Sequence, residues 1–213
     1  MSLSEPLGAP SISVTVQRPV PGKKWDWVDY LDNLGRASLR AVKEVPGVRA
    51  VFQNHVTSAS ARQLLEMVER AGDERLGVAF SPDHCIVMQE DPVELADRHA
   101  AAIQHICMAD RKVVEEDLGK FGGRYYYVRY ECCVVGEGVV PTERLFDTLN
   151  KRGFDGYVSL KWEKSDAVSS APDRAHLPDG YGWHLPPGEE VLPAFAQLMK
   201  SLGVGRQKPQ GTV

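Results

Sequence analysis

Residues 75–84 read RLGVAFSPDH, and this stretch decides the fold. Leu76–Phe80 is a short apolar run of strand type. A helix precedes it. Ser60 and Gln63 have the spacing of a capping box, Leu64, Leu65, Val68 and Ala71 recur at helical intervals, and Gly72 ends the run. A second helix follows. Asp91-Pro92-Val93-Glu94 supplies a capping carboxylate, a proline at the first helical position and an acidic residue at the third.

The same alternation extends outward. Residues 11–17 (SISVTVQ) carry β-branched side chains at alternate positions and predict a strand. Residues 25–45 predict a long helix, with Asp26 as cap and Pro46-Gly47 as stop. Residues 48–53 (VRAVFQ) predict the next strand, and residues 103–108 (IQHICM) the one after Leu76–Phe80. Residues 111–138 read as irregular, with the aromatic run Tyr125-Tyr126-Tyr127 able to pair as an excursion. Residues 141–152 predict a helix closed by Gly153, residues 157–162 (YVSLKW) a fifth strand, and residues 189–202 a last amphipathic helix. A Pro- and Gly-rich loop spans 165–188. Five strands alternating with helices argue for a parallel α/β sheet. No GxGxxG or GxxxxGK[ST] follows the first strand, so a dinucleotide or P-loop fold lacks its phosphate signal. The expected organisation is a flexible N-terminus over 1–10, one domain over 11–203 and a flexible tail over 204–213.

Composition narrows the function classes. The 213 residues are 43% hydrophobic and 25% charged, with a formal net charge of -4, which suits a globular chain without a basic face for nucleic acid. No apolar stretch approaches the ~20 residues that span a bilayer, and MSLSEPLGAP lacks the pattern of a secretory signal. The four cysteines, Cys85, Cys107, Cys132 and Cys133, form no CxxC pair. Reduced thiols and a cytoplasmic location are the expectation.

Five phrases, in order, resemble the sugar phosphate isomerase/epimerase family, the xylose-isomerase-like TIM barrels. VFQNH (51–55) is similar to that family's strand-five ENH segment, and RLGVAFSPDH to its strand-six segment ending FDPxH. IQHICMADR (103–111) resembles its strand-seven HVHxKD segment. GEGVV (136–140) resembles the turn before the penultimate helix, and GFDGYVSLKWE (153–163) the strand-eight GYDGxxSxE. The resemblance implies a parallel-stranded partial (β/α)8 barrel of about five βα units, with residues 11–17 as strand four and strands one to three missing. A complete barrel has eight strands in roughly 250 residues. Five strands do not close, so the two sheet edges call for cover by a homo- or hetero-oligomeric partner.

In the family, Glu, Asp, His and Glu at the ends of strands five to eight bind Mn²⁺, Mg²⁺ or Co²⁺. The matching positions here hold Gln53, Ser81, Cys107 and Lys161. Three carboxylates are gone and one position is cationic. At ~4 Å, two like unit charges repel by about 4 kcal/mol at an effective dielectric of 20, and a divalent ion beside Lys161 feels about twice that. The expectation is therefore no metal and no other cofactor. Lys161, Glu163, His84 and Asp110 are the candidate catalytic groups. Gln53, His55, Ser81, His105, Cys107 and Trp162 are the candidate contacts to a sugar or sugar phosphate. Cys107 and His105 share a strand face, which admits a thiol–imidazole pair, although a buried structural thiol is the commoner role. Two functions follow: a non-catalytic accessory subunit of an active homologue, or a metal-independent isomerase or lyase on sugars or polyols with Lys161 in place of the ion.

Overall fold

The computed structural model describes residues 10–16, 26–117, 126–161 and 188–204. Strand β1 (Ser11–Thr15), helix α1 (Trp27–Lys43), β2 (Arg49–Gln53), α2 (Ala61–Ala71), β3 (Leu76–Phe80), α3 (Pro82–Val87) and α4 (Pro92–His99) follow in order. A 3-10 turn (Ala100–Ala102) leads into β4 (Ile103–Met108). Then come β5 (Asp110–Asp117), β6 (Tyr126–Cys133), α5 (Thr142–Lys151), β7 (Tyr157–Leu160) and α6 (Gly188–Ser201).

The helix ends form where local chemistry places them. Asp26 accepts from the amides of Val28 and Asp29 at the start of α1. Ser60 Oγ accepts from Gln63 N at 3.3 Å, and Gln63 Oε1 accepts from Ser60 N at 3.0 Å. The Glu90 carboxylate takes the next two amides of α2, from Ala61 and Arg62. All four donors that a helix start leaves open are thereby answered. Gly72 then stops α2 in the left-handed conformation, at φ 62°. Asp91 caps α4 through Val93 and Glu94, with Pro92 at its start.

The main sheet runs in the order β1-β2-β3-β4-β7, and its five strands are parallel. Val51 lies opposite Gly77, and Ala79 opposite His105. Every residue of β3 is buried, as a central strand with both faces covered must be. The edge strand β1 is largely exposed, and Ile12 keeps 39% of its surface. The architecture is a partial (β/α)8 barrel.

Residues 111–138 depart from the expected irregular loop. Asp110–Asp117 and Tyr126–Cys133 form a two-stranded antiparallel ribbon, in register from Asp110 opposite Cys133 to Asp117 opposite Tyr126. The valine pair of one strand and the aromatic, β-branched run of the other favour extended backbone. Helix α3 is a second addition: Pro82 opens a six-residue helix between β3 and α4, where no element was expected.

The chain divides into two compact units, Met1–Met108 with Glu143–Ser159, and Ala109–Thr142 with Leu160–Val213. The parallel strands, apart from Leu160, belong to the first unit and the ribbon to the second. Among the described residues no helix is long and apolar enough to cross a membrane.

Candidate functional site

In the first unit, alternation along the strands puts Gln53, Ser81, His105 and Cys107 on one face of the sheet. Val51, Ala79 and Cys107 form a buried cluster there. Farther along the strands, Gln53 Nε2 donates to Ser81 Oγ at 3.3 Å. Three of the four positions singled out in the sequence thus lie on one sheet face, and two of them touch.

His105 sits below Cys107, toward the start of β4. Its Nε2 lies 2.7 Å from Ser159 Oγ, which ties β4 to its neighbour β7. Cys107 Sγ stands 4.0 Å from both His105 nitrogens. Equal distances mean that the sulfur is aimed at neither lone pair, which is not the in-line geometry of a thiolate–imidazole pair. Burial pushes the His105 imidazole below its ordinary value by penalising the charged ring. The unfolded chain therefore takes up this proton first as pH falls. The contribution of His105 to stability is lost from about pH 6.5 downward, until the native ring also protonates. Urea denaturation of wild type and His105→Gln, compared at about pH 7.5 and about pH 5.5, is expected to show the larger fall in wild type.

A second polar knot lies where β2 and β3 end. Asn54, fully buried, accepts from Ser81 N at 2.7 Å and donates to Ser81 O at 3.0 Å. His84, 1% exposed, donates from Nδ1 to Asn54 O at 2.9 Å, since a carbonyl can only accept. Its ring meets that of His55 edge-on, with centroids 4.6 Å apart, and its Nε2 lies 3.7 Å from buried Asp83 Oδ2. His55 Nδ1 accepts from Thr57 N at 3.2 Å, so a neutral His55 carries its hydrogen on Nε2. His84 and His55 stood among the candidate site residues, whereas Asn54, the centre of the knot, stood only within the phrase VFQNH as a polar residue shared with the family. Cys85 is the fourth partner: its thiol reaches Ser81 O at 3.4 Å, and burial, followed by the nearby Glu90 and Asp83 charges, pushes it well above the ordinary range.

Asp110, expected among the acid–base groups, belongs to the second unit and is 1% exposed. Its Oδ1 accepts from the amides of Arg111 and Val140, at 2.8 and 3.0 Å. Its Oδ2 accepts from those of Gly136 and Gly138, at 2.9 and 3.0 Å. Two hydrogen bonds on each oxygen fill its acceptor capacity. Lys161 directly follows β7 and is half-buried. Trp162 and Glu163 lie outside the described residues. None of the four cysteines forms a disulfide.

A cavity of about 680 Å³ opens at the other, N-terminal end of the parallel strands, bordered by Arg49, Glu74, Gln104 and Arg152. Of the candidate residues only His105 lines it. The strand ends, not this cavity, hold the groups with chemical promise, as in parallel barrels generally.

A parallel partial barrel with polar side chains at its strand ends defines the class of protein. Within that class the chain belongs to the xylose isomerase-like TIM barrel family, whose profile matches residues 1–186. Inosose dehydratase of Geobacillus thermodenitrificans (strain NG80-2) is 22% identical over 157 residues, covering 70% of this chain and 50% of that protein. The chain thus spans about half the length of the curated relatives it matches. Among solved structures, the xylose isomerase domain protein from Planctomyces limnophilus superposes with a TM-score of 0.59 at 18% identity, over 94% of this chain and 62% of that one. The IOLI protein with a bound zinc atom gives 0.58 at 14% identity, over 94% and 65%. These structural likenesses carry the fold alone.

Proposed function

We propose that this barrel has lost the family's divalent-metal site and serves as a non-catalytic or accessory subunit, completing or supporting an active homologue. One observation carries the reading: the hydrogen bond from Gln53 to Ser81. The resemblance puts two carboxylate ligands at these positions. Two carboxylates side by side repel unless a cation or a shared proton lies between them, whereas an amide bonded to a hydroxyl is satisfied without either. Cys107 adds a soft thiol, and Lys161, by resemblance the fourth position, adds a positive charge. Such a set does not fit a hard ion such as Mn²⁺ or Mg²⁺. Among the described residues no group of three or more His, Cys, Asp or Glu converges to hold a metal.

The sheet edges support the partner half of the proposal. β1 and β7 terminate the sheet, and β1 is exposed at three of its five residues. A parallel sheet is stable when covered on its faces and protected at its edges. A homo- or hetero-oligomeric partner is the proposed cover. The test is to express the chain alone and with a full-length family homologue, then to measure solution mass and turnover of sugars and inososes with and without Mn²⁺. Self-association or co-migration, with no turnover by the chain alone, is the expected outcome. A monomer with Mn²⁺-stimulated turnover defeats the proposal.

A second reading is favoured by Lys161, a cation at the very end of β7, and by curated relatives that are dehydratases. In it the chain is a metal-independent isomerase or lyase on sugars or polyols, with the ammonium of Lys161 polarising a carbonyl or hydroxyl oxygen. Lys161→Met then abolishes a turnover that wild type shows in EDTA. Absence of any such turnover in wild type decides for the first reading.

A further inference from the structure

Neither reading uses the most completely bonded carboxylate among the described residues. We infer that Asp110 is an internal anionic template for loop 136–140, and that the loop without it is a receptor for a small carboxylate such as formate.

Four amides converge on this one side chain, at 2.8 to 3.0 Å. Three of them come from alternate residues, Gly136, Gly138 and Val140. The intervening amides point elsewhere: Glu137 N bonds Val134 O at 3.0 Å, and Val139 N bonds Arg111 O at 2.8 Å. Alternate N–H groups turned to one centre make a concave anion site out of backbone alone. The loop is shaped to reach it. Gly136 takes φ 97°, a conformation that favours glycine, and a Cβ on Gly138 would collide with the Asp110 carboxylate and the Arg111 carbonyl.

The charge is sensed next door. Cys133, opposite Asp110 in the ribbon register, has its thiol pushed up to about 12, first by burial and next by the Asp110 carboxylate. Downstream, Val140 O accepts from Thr142 N at 2.7 Å, so the template also fixes the turn that starts α5. The Asp of IQHICMADR and the GEG of GEGVV are therefore two parts of one object. Asp110 acts by positioning backbone.

Three variants of the full chain test this by thermal denaturation in sodium formate against sodium chloride at equal ionic strength. Asp110→Ala is expected to melt roughly 5–10 °C below wild type, losing several charge-assisted hydrogen bonds, and to recover much of that loss in formate. Wild type and Gly138→Ala are expected to show no formate-specific gain. Asp110→Asn keeps the shape but turns an N–H group toward amide donors, so it is expected to melt as low as Asp110→Ala and to gain nothing from formate. If Asp110→Ala fails to fold in chloride, refolding yield in formate is the same test. Hydrogen exchange gives the local readout: the amides of residues 136, 138 and 140 should lose protection while those of β2 and β3 keep theirs. An Asp110→Asn variant as stable as wild type, or an Asp110→Ala variant indifferent to formate, overturns the inference.

Discussion

Replacing Asn54 by alanine is expected to cost the first unit about 2 kcal/mol, since a buried backbone group left without a partner costs roughly 1–3 kcal/mol. Asn54 and Ser81 exchange two hydrogen bonds, at 2.7 and 3.0 Å, as two backbone residues do in a ladder. The side-chain amide in effect prolongs the pairing of β2 with β3 past the end of both strands. Removing it strands Ser81 N–H, where Ser81 itself is fully buried. Ser81 C=O keeps the Cys85 amide at 3.3 Å and the Cys85 thiol at 3.4 Å. Asn54→Asp discriminates further. It keeps an acceptor for Ser81 N–H and sets an anionic oxygen against Ser81 C=O, so it should also be strongly destabilising, and less so at low pH, where the acid can donate. Urea denaturation with an unchanged m value reads the loss. A loss under about 1 kcal/mol for Asn54→Ala would mean that water takes over the bond to Ser81 N–H.

This knot also marks the limit of what the sequence discloses. Leu76–Phe80, Ile103–Met108 and the caps at Ser60, Gly72 and Asp91 were legible because each rests on chemistry within four or five residues. Strand β1 was legible in kind but ends at Thr15 rather than 17, because pairing with Arg49–Gln53, not propensity, sets its length. The β5–β6 ribbon was only partly legible: the tyrosine run suggested pairing, but its strands are separated by an eight-residue connection, so partner and register are tertiary facts. Asp110 and its loop show the same limit in the site. Resemblance put both on the page, yet their contact spans 26 to 30 residues, and a carboxylate in a signature phrase reads as catalytic until its four amides are seen. Conversely, the neighbourhood of Gln53 and Ser81 was foreseen from aligned strand ends, because parallel strands bring equivalent positions to one level of the sheet.

That foresight permits a gain-of-function test. The variant Gln53→Glu, Ser81→Asp, Cys107→His is expected to bind Mn²⁺ at least roughly 100-fold more tightly than the wild-type chain, a change of about 2.7 kcal/mol. The changes act together. Glu and Asp at positions 53 and 81, set side by side, repel without a cation and attract one. His at 107 replaces a soft thiol by an imidazole suited to the same ions. Each single change is expected to leave Mn²⁺ binding weak, because one new donor lacks the charge to hold a divalent ion. The threefold variant should therefore be less stable than wild type in EDTA, where the carboxylates face each other unneutralised. It should recover by about 2.7 kcal/mol at Mn²⁺ concentrations near 100 times its Kd. Calorimetric titration measures the affinity, and urea denaturation with and without Mn²⁺ measures the linkage. A threefold variant that folds and gains no affinity would mean that these three positions do not converge on an ion, and the kinship of this strand-end site to the family's metal centre would fail with it.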